Sequence, residues 1–336
     1  MLYPLARNLL FRMDAERAHA LTLNALTQAA HCGLVKPGAP QAVQPRTVMG
    51  LSFPNPLGIA AGMDKNAEFL DGLGALGVGF VEVGTVTPRP QPGNPKPRIF
   101  RLPEVEGVIN RLGFNNHGVD YLLSRLAQRR YSGILGINIG KNFDTPLERA
   151  VDDYVLALRR VAPHADYVTV NISSPNTTNL RQLQGHDALD LLLHTLKRTQ
   201  QEISQTLGRH IPIALKIAPD LTRDEILDIA SLLVQHRMDA VIATNTTITR
   251  TTIAGHPLAH ETGGLSGAPL HEMSLEVVRT LAKALDGALP IIGVGGITQP
   301  QRAKGMMEAG ATLIQLYTGL IYGGPPLIRE ILEALA

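Results

Sequence analysis

The sequence predicts an α/β fold, a closed (β/α)8 TIM barrel with an N-terminal two-helix extension. Three observations predict it. Eight short apolar runs alternate with helical patterns over about 280 residues. Most of these runs lead directly into an amide, hydroxyl, lysine or glycine. Residues 1–33 follow a different, purely helical pattern. Periodicity alone leaves a doubly wound parallel sheet as the structural alternative.

The extension comes first. Leu2, Leu5, Leu9 and Met13 fall at helical spacing, and Leu10 and Phe11 widen the stripe. Asp14 is placed to N-cap a second helix over Ala15–Ala30, where Leu21, Ala25 and Leu26 continue an apolar face. Gly33 and the proline-rich segment Pro37–Pro45 mark a linker. The division is therefore residues 1–45 for the extension and linker, and 46–336 for the barrel.

The apolar runs are Leu57–Ala61, Phe80–Val83, Ile134–Ile139, Tyr167–Asn171, Ile213–Ile217, Ala240–Ala243, Ile291–Val294 and Leu313–Tyr317. Between them lie the helical segments Ala67–Leu76, Asp120–Arg130, Leu147–Val161, Ala188–Leu207, Arg223–Gln235, Met273–Leu285 and Pro300–Glu308. Gly72-Leu-Gly74-Ala-Leu-Gly77 matches a dinucleotide fingerprint, but it follows a helix and precedes a strand, the reverse of what that fingerprint needs. These glycines read as helix termination and close packing.

The run endings carry the chemistry. In order they supply Gly62 and Lys65, Thr85, Asn138, Asn171, Lys216, Thr244 and Asn245, Gly295 and Gly296, and Tyr317 and Thr318. Barrel active sites form at the carboxyl ends of the strands, where several strands each contribute a group. The glycines after the seventh run and Tyr317-Thr318-Gly319 after the eighth have the form of a phosphate site. Gly263-Gly-Leu-Ser-Gly267 reads as a flexible loop able to close over the same ligand. Lys216 sits inside an apolar run, and a lysine facing a barrel interior needs an anionic or polarised partner. Asn110, Asn115 and Asn116, in a long loop, add amides suited to a flat ligand bearing carbonyls and N–H groups. Asn171-Ile-Ser-Ser-Pro-Asn-Thr177 caps the fourth run with polar groups, and no histidine follows Ser174 closely enough to suggest a protease-type serine.

Composition narrows the classes. The 336 residues are 44% hydrophobic and 18% charged, as suits a large core. A net charge of +2 gives no electrostatic case for nucleic acid. Residues 1–50 hold five Lys/Arg against two Asp/Glu, so positive charge gathers at the extension. Cys32 is the only cysteine, which excludes an intrachain disulfide and a cysteine-based metal cluster, and no HExxH pairing occurs; no metal is expected. No convincing signal peptide or spanning apolar segment is seen.

Five motifs together resemble the dihydroorotate dehydrogenase family across essentially the whole chain: Ala61-Gly-Met-Asp-Lys65, Gly84-Thr-Val-Thr-Pro-Arg-Pro-Gln-Pro-Gly-Asn94, Asn110-Arg-Leu-Gly-Phe-Asn115, Asn171-Ile-Ser-Ser-Pro-Asn176 and Ile291-Ile-Gly-Val-Gly-Gly296. Ser174, where the soluble class 1 branch has cysteine, and the helical extension resemble class 2, the membrane-associated, quinone-dependent branch.

The resemblance implies oxidation of (S)-dihydroorotate to orotate in pyrimidine biosynthesis, with one FMN per chain and a membrane quinone as acceptor. It implies Ser174 as the base that takes the proton from substrate carbon 5. Substrate contacts carry over to Lys65, Asn110, Arg111, Leu112, Gly113, Phe114, Asn171, Asn176, Asn245 and Thr246. FMN contacts carry over to Ala61, Gly62, Met63, Asp64, Lys65, Thr85, Asn138, Asn171, Lys216, Thr244, Gly267, Gly296, Tyr317 and Thr318. A serine hydroxyl is a weak base, so the proton is expected to pass onward through water or Thr177. The extension is expected to lie on the membrane surface and admit quinone along His19, Arg101 and Tyr317. A monomer at the cytoplasmic face of the cell membrane follows, the inner membrane if the source is bacterial. Three rivals stand beside this: an FMN barrel with another substrate or acceptor, a flavin-free phosphate-handling barrel using Lys216 for a Schiff base, and a peripheral membrane-binding module.

Overall fold

Eight parallel strands close on themselves: β1 (Leu57–Ile59), β2 (Phe80–Val86), β3 (Ile134–Ile139), β4 (Tyr167–Asn171), β5 (Ile213–Ile217), β6 (Ala240–Ala243), β7 (Ile291–Val294) and β8 (Leu313–Leu316). Neighbours in the barrel are neighbours in sequence, and β8 pairs with β1 to complete the ring. The predicted barrel is therefore the observed one. This computed structural model describes residues 2–35 and 43–336, so most of the linker expected over Pro37–Pro45 lies outside the described residues.

Helices α3 (Leu70–Gly74), α4 (Gly118–Leu126), α5 (Ala150–Val161), α6 (His186–Leu207), α7 (Arg223–Gln235), α8 (His271–Leu285) and α9 (Pro300–Glu308) connect successive strands. Three are shorter than their sequence patterns: α5 opens with a 3-10 turn over Leu147–Arg149, and α3 and α4 are cut by carboxylate contacts. The Asp64 carboxylate accepts the N–H groups of Asn66, Glu68 and Phe69 at 3.3, 3.0 and 2.7 Å, which holds a turn where α3 was expected to begin. Asp71 accepts the N–H groups of Arg130 and Tyr131 at 2.9 and 2.8 Å and draws the chain out of α4. A further C-terminal helix, α10 (Thr318–Leu335), was not expected. Pro325 and Pro326 obscure it, and Gly324 breaks it with φ 66°.

Within the barrel, side chains stack in layers. A hairpin of Arg46–Val48 and Leu51–Phe53 closes the amino-terminal mouth, where Phe53 meets Phe80 edge-on at 5.2 Å. Gly58 makes room for that ring, since a Cβ there would lie 2.4 Å from it. Above this apolar plug the interior turns polar, with Glu82, Asn138, Thr169, Lys216 and Gln315 all buried. Most of the remaining core lies between the strands and the outer helices.

Two additions shape the carboxyl end. Strands Ile99–Leu102, Gly107–Asn110 and Gly264–Gly267 form an antiparallel sheet. The segment expected as a flexible closing loop is thus a paired strand, and Asn110 ends a strand rather than riding a long loop. The second addition is the predicted helix pair, α1 (Leu2–Leu10) and α2 (Ala15–His31), with Asp14 accepting from the N–H of Arg17 at 3.0 Å as its N-cap. Arg98 grips Glu16 at 2.8 and 2.9 Å, His31 meets Asp71 at 2.8 Å, and the Tyr3 hydroxyl donates to the Ile321 carbonyl at 2.7 Å. Both helices are thereby fastened to the barrel. Among the described residues no helix is long and apolar enough to cross a membrane.

Candidate active site

The carboxyl ends of the strands surround one cavity. All but β3 line it directly: Ala61, Gly62 and Lys65 after β1, Thr85 on β2, Asn171, Ser174 and Asn176 from β4, and Lys216 on β5. Thr244, Asn245 and Thr246 follow β6, Gly295 and Gly296 follow β7, and Gln315, Tyr317 and Thr318 belong to β8 and its exit. The antiparallel sheet and the turn beyond it add Asn110, Leu112, Gly113, Phe114, Ser266 and Gly267 as a roof.

A directional chain of hydrogen bonds ties the barrel floor to this cavity. The Glu82 carboxylate accepts from Asn138 Nδ2 at 2.8 Å; Asn138 Oδ1 accepts from the Thr85 hydroxyl at 2.7 Å; Thr85 Oγ1 accepts from Asn171 Nδ2 at 3.1 Å. Asn171 Oδ1 in turn accepts the Ser173 N–H at 3.2 Å and Asn245 Nδ2 at 3.3 Å. A backbone N–H only donates, so Asn171 Oδ1 has to accept from Ser173 and every amide along the chain has a fixed orientation. Arg181 holds the loops after β4 and β6 together, donating to the carbonyls of Ser173 and Thr246 at 3.0 and 2.7 Å while paired with Asp220 at 2.7 Å.

At the β7–β8 side the site has the makings of an anion cradle. Gly295 has φ 138°, and a Cβ there would strike Ser274 Oγ at 2.1 Å, so backbone alone fits. Arg302 donates to the Gly296 carbonyl at 3.2 Å and Thr298 Oγ1 at 2.9 Å, fixing the turn. α10 starts at Thr318, so its first N–H groups, which have no intrahelical partner, face the same cavity.

Some expected contacts fall elsewhere. Asp64 is buried and uses its oxygens to cap its own turn, and burial pushes its carboxyl up to about 6. Met63 faces a second cavity, described below. Asn138 reaches the site only through Thr85, and Arg111 turns outward to Glu261 at 2.6 Å. Asn116 braces Thr87 at 2.8 Å, away from the cavity, and Asn115 lines the second one. The sequence reading missed Glu82 and Gln315. Each is a lone polar residue in an apolar run, the same signature that marked Lys216.

The second cavity lies under α1 and α2. It is lined largely by apolar groups such as Phe11, Ala18, Leu23, Met63 and Leu320, with His19 and Arg101 among them. Burial lowers His19 to about 4, so its ring is neutral at ordinary pH. Arg101 donates to the carbonyls of Leu10 and Met13 and stacks over Phe11 at 4.8 Å. Lys65, Asn110, Leu112 and Tyr317 line both cavities and form the wall between them.

Comparison with known proteins shows the family. The family model described as dihydroorotate dehydrogenase matches residues 44–336. The chain is 58% identical over 337 residues to the dihydroorotate dehydrogenase (quinone) of Methylobacillus flagellatus, and 60% identical over 336 residues to that of Thiobacillus denitrificans; both alignments cover 100% of each chain. A crystal structure of DHODH from Eimeria tenella in complex with ferulenol superposes with a TM-score of 0.85 at 38% identity, covering 94% of this chain and 90% of that one.

Burial lowers the Lys65 ammonium to about 8, with Glu16 pulling in the opposite direction. Lys65 is therefore charged below that pH and neutral above it. A carboxylate ligand in the strand-end cavity should bind with affinity that falls as pH rises through about 8, and Lys65→Met should flatten the profile. Calorimetric titration across that range checks it; a flat profile in the unaltered protein would remove Lys65 from carboxylate recognition.

Proposed function

Because the chain belongs to the dihydroorotate dehydrogenase family, we propose that its strand-end cavity holds FMN and dihydroorotate while the cavity under α1 and α2 admits the quinone. The chain oxidises dihydroorotate to orotate with a quinone as electron acceptor, a step of pyrimidine biosynthesis. The family is flavin-dependent. The observation that carries the two-cavity reading is the shared wall of Lys65, Asn110, Leu112 and Tyr317.

The residues present fit FMN. The Gly295–Gly296 turn and the start of α10 suit its phosphate, and Lys216, Thr85 and Asn171 offer donors to the ring's carbonyls and nitrogens. Gln315 Oε1 is buried without a partner among the described residues, free to accept a ring N–H. Ala61, Gly62, Thr244, Gly267, Gly296, Tyr317 and Thr318 complete the pocket in this reading. Bound there, FMN supplies the acceptor for the hydride that leaves substrate carbon 6.

The chain's own residues handle the rest. Lys65 pairs with the substrate carboxylate, and Asn110, Asn171, Asn176, Asn245 and Thr246 meet the ring amides, with Leu112, Gly113 and Phe114 against its face. Ser174 takes the proton from carbon 5. Among the described residues its Oγ accepts only the Asn176 N–H, at 3.2 Å, so its hydroxyl proton stays available for transfer. Thr177 Oγ1 is buried nearby in sequence and has no partner among the described residues, which suits it to pass that proton on.

The helix pair supports a peripheral membrane reading. Leu5, Leu9, Met13, Leu21 and Leu34 expose large apolar side chains on it, beside the local excess of Lys/Arg. On this reading residues 1–45 are the membrane and quinone module and 46–336 the catalytic barrel. The protein is a monomer at the cytoplasmic face of the cell membrane, the inner membrane in a bacterium, and His19, Arg101 and Tyr317 flank the quinone's route.

Three measurements test these assignments. The purified protein should show flavin absorption that bleaches on anaerobic addition of dihydroorotate and not of NADH; a colourless protein, or bleaching by NADH, would overturn the cofactor and donor assignment. Ser174→Ala should slow flavin reduction in stopped flow by roughly a hundredfold or more, in line with loss of a general base, with orotate affinity little changed. Near-normal reduction would take Ser174 out of the proton transfer. A chain lacking residues 1–33 should keep dihydroorotate-driven bleaching and lose turnover with a membrane quinone; normal quinone turnover would defeat the role given to the helices.

A further inference from the structure

Glu82 lies in the middle of β2 with none of its surface exposed, three residues before Thr85, the first position of that strand to touch the cavity. Its carboxylate accepts four hydrogen bonds, from Asn138 Nδ2 at 2.8 Å, Tyr167 Oη at 2.9 Å, Thr169 Oγ1 at 3.1 Å and Gln315 Nε2 at 2.9 Å. Oε1 receives one of them and Oε2 three, and none of the donors carries a charge.

Lys216, on β5, is buried and lines the cavity; it pairs in register with Asn171, two residues beyond the Thr169 that bonds Glu82. Burial disfavours the Lys216 ammonium, and Glu82 is the charge that opposes that effect. Gln315 touches both levels, donating to Glu82 while lining the cavity.

We propose that Glu82 is a positioning residue for the redox step, the counter-charge of Lys216 and thereby a determinant of the reduction potential of the flavin above them. The inference rests on the reading that a flavin occupies the strand-end cavity. Two opposite charges buried in one barrel interior partly cancel each other's field, whereas one member alone presents a full charge in a medium that screens it poorly. Reduction places negative charge on the flavin. Removing the Glu82 charge therefore favours the reduced form and raises the potential; removing the Lys216 charge lowers it.

The alternative is that Glu82 only holds the barrel together. A purely structural residue would change thermal stability and flavin retention, and the potential of whatever flavin stayed bound would not move.

The experiment is a midpoint-potential measurement on the flavin-loaded, full-length protein, by slow reduction against a reference dye. Glu82→Gln keeps the shape of the side chain, and the Tyr167 and Thr169 hydroxyls and the Gln315 amide can turn to meet it. Its expected effect is a shift of roughly tenfold or more toward reduced flavin, about 30 mV positive for a two-electron couple. Lys216→Met should shift in the opposite direction, and the double variant should return to within about threefold of the unaltered protein. An unmoved potential in Glu82→Gln overturns the proposal. If that variant does not fold, the double variant, which buries no unpaired charge, is compared with Lys216→Met: a roughly tenfold positive difference supports the proposal and equal potentials overturn it. Unaltered protein purified without flavin would overturn the cofactor reading and this inference together, whereas bound flavin with an unmoved potential overturns the inference alone.

Discussion

A fully buried carboxylate side chain in the middle of a barrel is the constraint around which this structure is arranged. Taking such a group out of water costs several kcal/mol unless geometry and hydrogen bonds compensate. Glu82 has no exposed surface, so compensation has to come from side chains on strands that reach it. They arrive from β3 (Asn138), β4 (Tyr167 and Thr169) and β8 (Gln315), with Lys216 on β5 as the opposing charge. Because these strands lie on different sides of the ring, one carboxylate cross-links the barrel through its interior. A slip of any one strand by one residue would turn its donor outward. The polar layer thus fixes register where the apolar layer beneath it fixes only packing.

The same layer defines the base of the cavity, and the two additions to the barrel define its walls. The antiparallel sheet places Asn110 and Gly267 over the strand ends, while α1 and α2 enclose a second, more apolar space beside it. Lys65 and Tyr317 serve both spaces. Burial pushes the Tyr317 hydroxyl up to about 12, so it stays neutral and puts no charge at the boundary. A neutral tyrosine and a neutral His19 are what a route for an uncharged, apolar acceptor needs, and Lys65 keeps its charge on the side where a carboxylate substrate would lie. The polarity of each cavity matches one half of the reaction.

Much of this was legible in the sequence, and the exceptions have physical causes. Strand existence and order followed from eight apolar runs, because parallel strands buried on both faces read as continuous hydrophobic segments. Asp14 announced α2 because an N-cap acts on its own next few residues. Lys216 was found because a charge inside an apolar run is conspicuous, and Glu82 in Phe80-Val-Glu-Val carries the same signal. It escaped because attention to strand ends passes over a residue in mid-strand. The antiparallel sheet was invisible for another reason: Gly107–Asn110 pairs with Gly264–Gly267, a contact across more than half of the barrel sequence between glycine-rich pieces with no periodicity. Contiguous motifs misled in the opposite way. Within Asn110-Arg-Leu the side chains of an extended chain alternate in direction, so Asn110 and Leu112 face the cavity while Arg111 reaches Glu261. In Gly62-Met-Asp, likewise, one residue lines the site, the next faces the neighbouring cavity, and the third caps its own turn.

On the proposed reading, the loop after β4 explains how a serine can serve as the base. Its first part is held hard: Asn171 sits in the chain of amides that begins at Glu82, and Arg181 grips the Ser173 carbonyl while bonding the loop after β6. Ser174, one residue further on, makes a single bond through its oxygen and donates to no group among the described residues. A histidine–carboxylate pair would raise the basicity of that hydroxyl, but it would also place a charge beside the Lys65 site and bind the loop more tightly. Here the strong hydrogen bonds are spent on orientation and the serine is left unencumbered. Such a base works by position more than by proton affinity, and position is what the anchored part of the loop supplies.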